Sequence, residues 1–224
     1  MLWRSRRGRT ARLGCRSGAD TPRPKDYIAV RAVEARSKGI PEPTDPEKHT
    51  RVKDENQPFQ FSFPDVDGNI VSSTDPQFRN KVVIVNITGS WCPNCHDEAP
   101  FLVDLYHRYH ALGLEIVALD FEEAEQLADK TRLRAFIKNY GIEYTYLIGG
   151  EPKELQAKIT QAENLNSWPT TFFLGRDGKV RLVHAGFAAP ASGEFNTRLK
   201  TEVTETVERL LSEHNVGSET AALN

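Results

Sequence analysis

Residues 82–100 read VVIVNITGSWCPNCHDEAP, an apolar run followed directly by a cysteine pair. Residues 82–87 are apolar apart from Asn86 and do not alternate with polar side chains, which is typical of a strand buried on both faces. The pair Cys92-Pro93-Asn94-Cys95 follows, and apolar positions at helical spacing continue from it. This stretch therefore predicts a buried strand, a short turn and a helix that begins at the cysteines.

The cysteine pair has the spacing that thiol–disulfide exchange requires. Such exchange needs a thiolate that attacks a disulfide and a second thiol close enough to resolve the mixed disulfide. At the N-cap of the helix, Cys92 lies where unpaired backbone N–H groups and the helix dipole stabilise an anion. Pro93 suits the first helical position because its missing N–H costs nothing there. We therefore expect Cys92 to be the exposed attacking thiol and Cys95 the partly buried resolving thiol.

On both sides of this stretch, strands alternate with helices, which indicates an α/β layered fold. The predicted elements are hairpin strands at 59–63 and 70–71, strands at 114–119 and 144–148, helices at 125–140 and 151–161, a hairpin at 170–174 and 180–184, and a last helix at 194–211. Gly141 follows the first of these helices and suits a C-cap. The pattern divides the chain into residues 1–57, a basic segment with a short helix at 26–38 and a linker rich in proline and charge; residues 58–214, the compact domain; and residues 215–224, a polar tail.

The N-terminal residues contain no recognisable signal peptide. Residues 1–16 carry six arginines and no acidic residue. Twin-arginine and lipoprotein signals both need an apolar segment of about 7–15 residues, which is absent here. A mitochondrial transit peptide fits the composition better, but we expect an irregular start or the continuation of a longer chain. Cys15 has no evident partner, and no apolar run of about 20 residues predicts a transmembrane helix.

Composition and spacing exclude several other classes of protein. A net charge of −2 gives no indication of nucleic-acid binding, and three cysteines are too few for a disulfide scaffold. A zinc site would need a second cysteine pair or scattered histidines. The motif C-x-x-C-H, which ends at His96, is also the attachment motif of c-type haem. The strand before Cys92 and the lack of any methionine beyond Met1 argue against haem, so we expect His96 to be an exposed helix residue. Trp91 and Pro93 at a strand–helix junction argue against inert core cysteines.

The motif SWCPNCHDEAP resembles the active site of thioredoxin-like proteins of the TlpA/ResA type. These are envelope thiol–disulfide oxidoreductases, several of which serve cytochrome maturation, and they are related to the AhpC/TSA-like group. The resemblance spans residues 59–211 and includes Pro169-Thr170-Thr171-Phe172-Phe173 followed by an Asp-Gly turn. It implies a thioredoxin-like fold, with a central mixed sheet, helices on both faces, an N-terminal β-hairpin and an inserted helix before a cis-proline.

The same resemblance implies where a substrate would bind. The Trp168–Pro169 bond is expected to be cis and to face the cysteine pair, although an arbitrary X-Pro bond is cis in only about 5–6% of cases. In the family, the backbone beside this proline pairs with the substrate chain. Trp91, Pro93, Trp168 and Pro169 are therefore the predicted substrate-binding residues. Trp168 departs from the smaller residues that are common at its position.

Glu98 matches an active-site acid of the ResA-like proteins. One helical turn separates it from Cys95, so the two share a face of the helix. Proton transfer to the cysteines is the predicted role, against the alternative of a surface glutamate favoured by the positive helix end. Thioredoxin has a buried aspartate where this chain has Asn86, which cannot shuttle a proton. That role shifts to Glu98 or to water, and Asn86 can equally be a core amide.

The resulting hypothesis is an enzyme that reduces protein disulfides through Cys92, Cys95 and Glu98. It needs no cofactor beyond the Cys92–Cys95 disulfide and no metal, and it implies a protein disulfide substrate, an upstream electron donor and a monomer. A cell-envelope location follows from the resemblance alone. Neither the direction of electron flow nor the role of residues 1–57 follows from the sequence.

Two alternatives use the same fold. A copper-delivery module would add His96 or His184 to the two thiolates, which select Cu(I). A peroxidase would place Thr or Ser three residues before the reactive cysteine, where this chain has Gly89. An acidic cluster at 120, 122 and 123 suits either a metal site or a solvated loop, and we expect the loop.

Overall fold

The computed structural model describes residues 32–39 and 49–213. They belong to two compact units, Met1–Thr44 and Asp45–Asn224, and each unit is described by itself. Among the described residues, no helix is both long and apolar enough to cross a membrane. Residues 1–31, which include Cys15, residues 40–48 and residues 214–224 lie outside the described residues.

In the first unit, the described element is helix α1 (Ala32–Ser37). Lys38 pairs with Glu34 one turn earlier, at 2.7 Å between Nζ and Oε1. Helix α1 agrees with the second half of the helix predicted at 26–38, whose first residues are not among those described.

The second unit alternates strands and helices along the described chain. Its strands are β1 (Arg51–Val52), β2 (Ser62–Pro64), β3 (Ile70–Ser72), β4 (Val82–Thr88), β5 (Leu114–Phe121), β6 (Thr145–Gly150), β7 (Ala162–Glu163), β8 (Thr170–Leu174) and β9 (Val180–Ala185). Its α-helices are α2 (Pro93–Tyr109), α3 (Ala124–Ala128), α4 (Thr131–Tyr140), α5 (Leu155–Lys158) and α6 (Glu194–Ser212). Single turns of 3₁₀ helix lie at Pro76–Phe78, His110–Leu112, Pro152–Glu154 and Pro190–Ser192.

Five strands form a mixed sheet in the order β6-β5-β4-β8-β9. Strand β4 is parallel to β5, and β5 is parallel to β6, so the helices between them serve as crossovers. Strand β8 runs antiparallel to both β4 and β9. Every residue of β4 and β5 is buried, as the unbroken apolar runs predict. The predicted central mixed sheet is therefore confirmed.

Two apolar cores lie on opposite faces of this sheet. Side chains of α2, α4 and α6 pack on the face that includes Val82 and Ile84. The face that includes Val83 and Val85 is covered by aromatic side chains of the segment 59–63 and by α5. Helices thus lie on both faces, with the long ones on one of them.

The helix predicted at 125–140 is wrong as a single element, because it is broken at Asp129. That residue is extended (φ −117°, ψ 98°) and ends α3. Its carboxylate then accepts the N–H and the hydroxyl of Thr131, which satisfies one of the unpaired N–H groups at the start of α4. Gly141 closes α4 with φ 63°, in the left-handed conformation expected of a C-cap.

The inserted helix predicted at 151–161 is shorter than the sequence suggests. It consists of one 3₁₀ turn and α5, after which the chain turns into β7. Strand β7 pairs with β1, so residues that the sequence assigns to the linker contribute a strand. Gln161 also anchors this region by donating to the carbonyl of Pro58 and accepting the N–H of Gln60. The N-terminal hairpin is present as β2 and β3.

Candidate active site

The two cysteines lie where β4 ends and α2 begins. Cys92 is the N-cap of α2 with an extended backbone, and Pro93 occupies the first turn, as predicted. The cysteines form a disulfide with 5.3 Å between their Cα atoms. The N–H of Cys95 donates to Cys92 Sγ at 3.2 Å. This sulfur therefore receives a hydrogen bond from a backbone N–H at the helix start, which also donates to the Cys92 carbonyl at 3.1 Å.

The expectation of an exposed Cys92 and a partly buried Cys95 is wrong for this disulfide form. Cys92 is 3% exposed and Cys95 is 2% exposed. Both sulfurs are held together against the first turn of the helix, whereas Pro93 and Asn94 at its tip are exposed. The N-cap position determines the direction of the backbone N–H groups near the sulfur. It does not determine how much of the sulfur is covered by neighbouring segments, which is why the expected exposure of Cys92 was wrong.

Two tryptophans join the cysteine turn to the segment before β8. The Trp168–Pro169 bond is cis, as the resemblance implies. The ring of Trp168 packs at 5.4 Å from that of Trp91, the residue before Cys92. Trp91 and Trp168 are half-buried, and Pro169 is buried. The structure thus brings the predicted substrate-binding residues into one region.

Glu98 is buried in a polar cluster between α2 and the sheet. Its two carboxyl oxygens accept hydrogen bonds from Asn86 Nδ2 at 2.8 Å and Thr171 Oγ1 at 3.1 Å. Asn86 also donates to Thr171 at 3.0 Å, which closes a three-residue network. The surface alternative for Glu98 is therefore wrong, and Asn86 is a satisfied core amide.

Burial changes the protonation of Glu98. Removal of the carboxyl from water raises its pKa to about 7, and the hydrogen bonds from Asn86 and Thr171 only partly oppose this. A carboxyl with such a pKa is able to take up or release a proton near neutral pH. Glu98 also raises the pKa of the buried Tyr144, whose hydroxyl is already disfavoured as an anion by burial.

A second polar network lies on the other side of the cysteine turn and corrects two predictions. Asp120 and Glu122 are fully buried, so only Glu123 of the acidic cluster matches the expected solvated loop. His96 is half-buried rather than exposed, because its ring nitrogens contact the Tyr140 hydroxyl and the Ser90 carbonyl, each at 2.8 Å.

The turn before Cys92 leaves no room for a side chain at Gly89. Trp91 Nε1 donates to the carbonyl of Phe121 at 2.8 Å, which folds the indole over Gly89. A Cβ atom on Gly89 would lie 2.5 Å from Trp91 Nε1 and 2.9 Å from that carbonyl. Both distances are shorter than real Cβ contacts, so glycine is needed here for close packing.

The described residues contain no group of three side chains suited to hold a metal ion. His96 has both ring nitrogens engaged, and His184 Nδ1 contacts the carbonyl of Gly186 at 2.9 Å. Neither histidine therefore forms a three-ligand group with the two sulfurs, which copper delivery would require.

These features define a protein with a thioredoxin-like fold and a Cys-x-x-Cys disulfide at the start of a helix. The chain belongs to the AhpC/TSA family, whose family model matches residues 55–183. The thiol-disulfide oxidoreductase ResA of Bacillus thuringiensis subsp. konkukian is 32% identical over 122 residues, which are 54% of this chain and 62% of ResA. The chain therefore spans less than two thirds of that relative.

Solved structures show the same fold. A thiol:disulfide interchange protein of the thioredoxin family from Chlorobium tepidum TLS has 25% identity and a TM-score of 0.53, covering 69% of this chain and 97% of its own. A secreted thiol-disulfide isomerase from Corynebacterium glutamicum has 19% identity and a TM-score of 0.57, covering 74% and 93%. The second likeness concerns the fold alone. Together they confirm the thioredoxin-like fold and the predicted resemblance.

Sequence reasoning missed the partners that complete both polar networks. Thr171 meets Asn86 because β8 pairs antiparallel with β4 in the register that places these two residues opposite each other. Arg132 reaches Glu122 from α4, at 3.0 Å. The sequence of β8 does not alternate between apolar and polar residues, because all its residues are buried, so it did not indicate which side chains face Glu98.

Proposed function

We propose that this protein exchanges thiols and disulfides through Cys92 and Cys95, and that it reduces disulfides of other proteins. The observation that carries the proposal is the disulfide at the N-terminus of α2, with Cys92 as N-cap and its Sγ accepting the Cys95 N–H. A helix N-terminus stabilises the thiolate that attacks in such reactions. The ResA relative and the Chlorobium tepidum neighbour carry names of the same class of activity.

The reaction begins with the reduced protein. The Cys92 thiolate attacks one sulfur of the substrate disulfide, so a Cys92–substrate bond forms while the substrate disulfide breaks and releases a thiolate, which takes up a proton. Cys95 then loses its proton and attacks Cys92 Sγ. The Cys92–Cys95 bond forms, the mixed disulfide breaks and the second substrate thiolate leaves. Two electrons have passed to the substrate, so an upstream dithiol donor must reduce the protein again.

Glu98 is the proposed proton acceptor for the second step. It lies one helical turn after Cys95 on α2, and its pKa of about 7 lets it accept a proton at neutral pH. Asn86 and Thr171 keep the carboxyl in place through their hydrogen bonds. The neighbouring core amide Asn86 cannot accept this proton because an amide does not titrate, so Glu98 is the proposed acceptor.

The surface around Trp91, Pro93 and the Trp168–Pro169 segment is the proposed substrate site. The tilted rings of Trp91 and Trp168 are in contact beside the helix start, and Pro93 is exposed at its tip. An extended substrate chain could pack against these indole rings. Its main chain would then form hydrogen bonds with the backbone of the Trp168–Pro169 segment, which would provide affinity.

The experiment that tests the activity compares Cys92→Ser and Cys95→Ser with the wild-type protein. Dithiothreitol serves as the electron donor and insulin as the disulfide substrate. We expect both variants to lose turnover, and Cys95→Ser alone to trap a mixed disulfide that a reducing agent releases. Retained turnover in both variants would contradict the proposal. Cys15→Ser, which makes the same chemical change at the third cysteine and keeps the Cys92–Cys95 pair, is the matched control.

The direction of electron flow has its own measurement. Equilibration of the Cys92–Cys95 pair with glutathione gives its reduction potential. A value near about −270 mV, as in thioredoxin, supports a reductant that must be supplied with electrons, whereas a value near about −120 mV indicates an oxidant that makes disulfides. The second value would contradict the proposed direction but not the exchange reaction.

Two alternatives remain as separate proposals with weaker support. Copper delivery lacks a third ligand among the described residues, and stoichiometric Cu(I) binding by the reduced protein would support it. A peroxidase would need Thr or Ser at position 89. A side chain at that position would collide with the Trp91 indole and the Phe121 carbonyl. Rapid oxidation of Cys92 by stoichiometric hydrogen peroxide would revive that alternative.

Location and assembly complete the proposal. An envelope-side location is supported by the resemblance to ResA-type proteins. The residue boundaries 1–57, 58–214 and 215–224, the monomeric state and a substrate that is itself a protein belong to the same proposal. Cell fractionation with an antibody against the chain tests the location.

A further inference from the structure

Ser90, two residues before Cys92, is bound by three side chains from outside its own turn. Its N–H donates to Glu122 Oε1, its hydroxyl accepts from Arg132 Nε at 2.9 Å, and its carbonyl contacts His96 Nε2 at 2.8 Å. The N–H of Cys92 in turn donates to the carbonyl of Gly89 at 3.0 Å. The turn that presents Cys92 is therefore held by residues of β5's end, α4 and α2.

The residues that hold Ser90 also bring two opposite charges to this turn. Glu122 is fully buried, and its second carboxyl oxygen pairs with Arg132 Nη2 at 3.0 Å. A buried carboxylate needs such a partner because removal from water is costly. The Arg132 guanidinium binds both the Ser90 hydroxyl and Glu122, so the guanidinium and the carboxylate each contact the turn directly.

Asp120 adds a second buried carboxyl to this network. It is fully buried, and Tyr146 donates to its Oδ1 at 3.0 Å. Burial, followed by the charge of Glu122, raises the pKa of Asp120 well above its ordinary value. The ion pair that contacts Ser90 in this network is therefore Glu122 with Arg132.

We propose that Glu122 and Arg132 are positioning residues for Cys92, which hold its turn through Ser90 and, by cancelling each other's charge, set how strongly the Cys92–Cys95 pair oxidises. The inference rests on the proposed exchange function and adds a control of its equilibrium. Removing the carboxylate leaves a cation beside the turn, which favours the thiolate and thus the reduced form. Removing the guanidinium leaves an anion, which favours the disulfide.

The test is a double-mutant cycle read as the equilibrium constant of the disulfide against glutathione. Glu122→Gln keeps an oxygen that can accept the Ser90 N–H and removes only the charge. We expect this variant to be about threefold or more easier to reduce than wild type, the size of effect that a nearby charge produces. Arg132→Gln should shift the constant in the opposite direction, and the double variant should return to within about twofold of wild type.

Two controls and a second readout separate charge from loss of structure. Glu123→Gln and Arg134→Gln make the same chemical changes at exposed neighbours and should leave the constant within about twofold. The pH midpoint of thiolate ultraviolet absorbance should fall in Glu122→Gln and rise in Arg132→Gln. Arg132 is partly exposed, so Arg132→Gln carries the test if Glu122→Gln does not fold.

Each outcome has a distinct meaning. Opposite shifts with recovery in the double variant support the inference. Shifts of the same sign, a double variant that stays more than about twofold from wild type, or no shift in either single variant overturn it. A wild-type protein that forms no reversible disulfide would instead refute the proposed function, so the two failures are distinguishable.

Discussion

Replacement of Glu98 by glutamine should abolish a decrease in the free energy of unfolding that occurs in the wild-type protein as the pH rises. Burial raises the pKa of Glu98 from 4.5 to about 7, and each pKa unit corresponds to about 1.4 kcal/mol. The difference amounts to about 3 kcal/mol that the buried carboxylate costs once it is ionised. Glutamine retains an oxygen to accept from Asn86 and an amide to donate to Thr171, so it imitates the protonated acid.

The sign follows from the two protonation states. Below pH 4.5 Glu98 is protonated in the folded and the unfolded protein, and its full contribution to stability is present. Between pH 4.5 and about 7 the unfolded chain loses this proton while the folded protein keeps it, so the free energy of unfolding falls as the pH rises. Above about 7 both states are ionised and the loss is complete. The wild-type protein should therefore lose stability relative to Glu98→Gln across this window.

Urea unfolding of the oxidised proteins checks this expectation. The disulfide keeps the thiols from titrating, and subtraction of the two curves removes the contribution of groups that both proteins share. We expect the difference in unfolding free energy to change by about 3 kcal/mol between the two ends of the window, in favour of the variant at high pH. Two curves that run parallel from acid to alkaline pH would show that Glu98 titrates normally and would refute the reasoning.

Three further changes test individual contacts of the site. Asn86→Val removes the donor that most opposes the effect of burial, so the pKa of Glu98 should rise above about 7 when followed by carboxyl carbon NMR; an unchanged pKa would contradict the assigned network. Gly89→Ala should lower the free energy of unfolding by about 1–3 kcal/mol in urea titrations and shift the Trp91 fluorescence, because the added Cβ meets the indole; wild-type stability would show that the indole is free to move. Trp168→Ala should weaken substrate binding, seen as a higher KM for insulin with little change in kcat, whereas an equal fall in kcat and kcat/KM at constant KM would place Trp168 in the chemical step.

Local sequence was sufficient wherever the determining residues are close together in the chain. The β-branched run at 82–87, interrupted only by Asn86, predicts β4 because such a run is typical of a strand buried on both faces. The cap and first-turn residues Cys92 and Pro93 predict the start of α2 for equally local reasons. The break at Asp129 was missed although it is local, because apolar spacing continues across the residues that end α3 and begin α4.

The environment of the reactive residues needed the tertiary structure. Glu98 depends on Thr171, which is 73 positions away and reaches it through the register of β8 against β4. Ser90 depends on Glu122, 32 positions away at the end of the neighbouring strand. Burial and hydrogen bonding of a carboxyl are set by such distant partners.

Propensity, caps and apolar patterning act over a few residues, so a mixed α/β fold and a cysteine pair at a helix start follow from local sequence. The burial of Cys92 and the raised pKa values of Glu98 and Asp120 arise from the packing of distant segments. These properties depend on which strands pair, in which register, and on how much water the packed chain excludes.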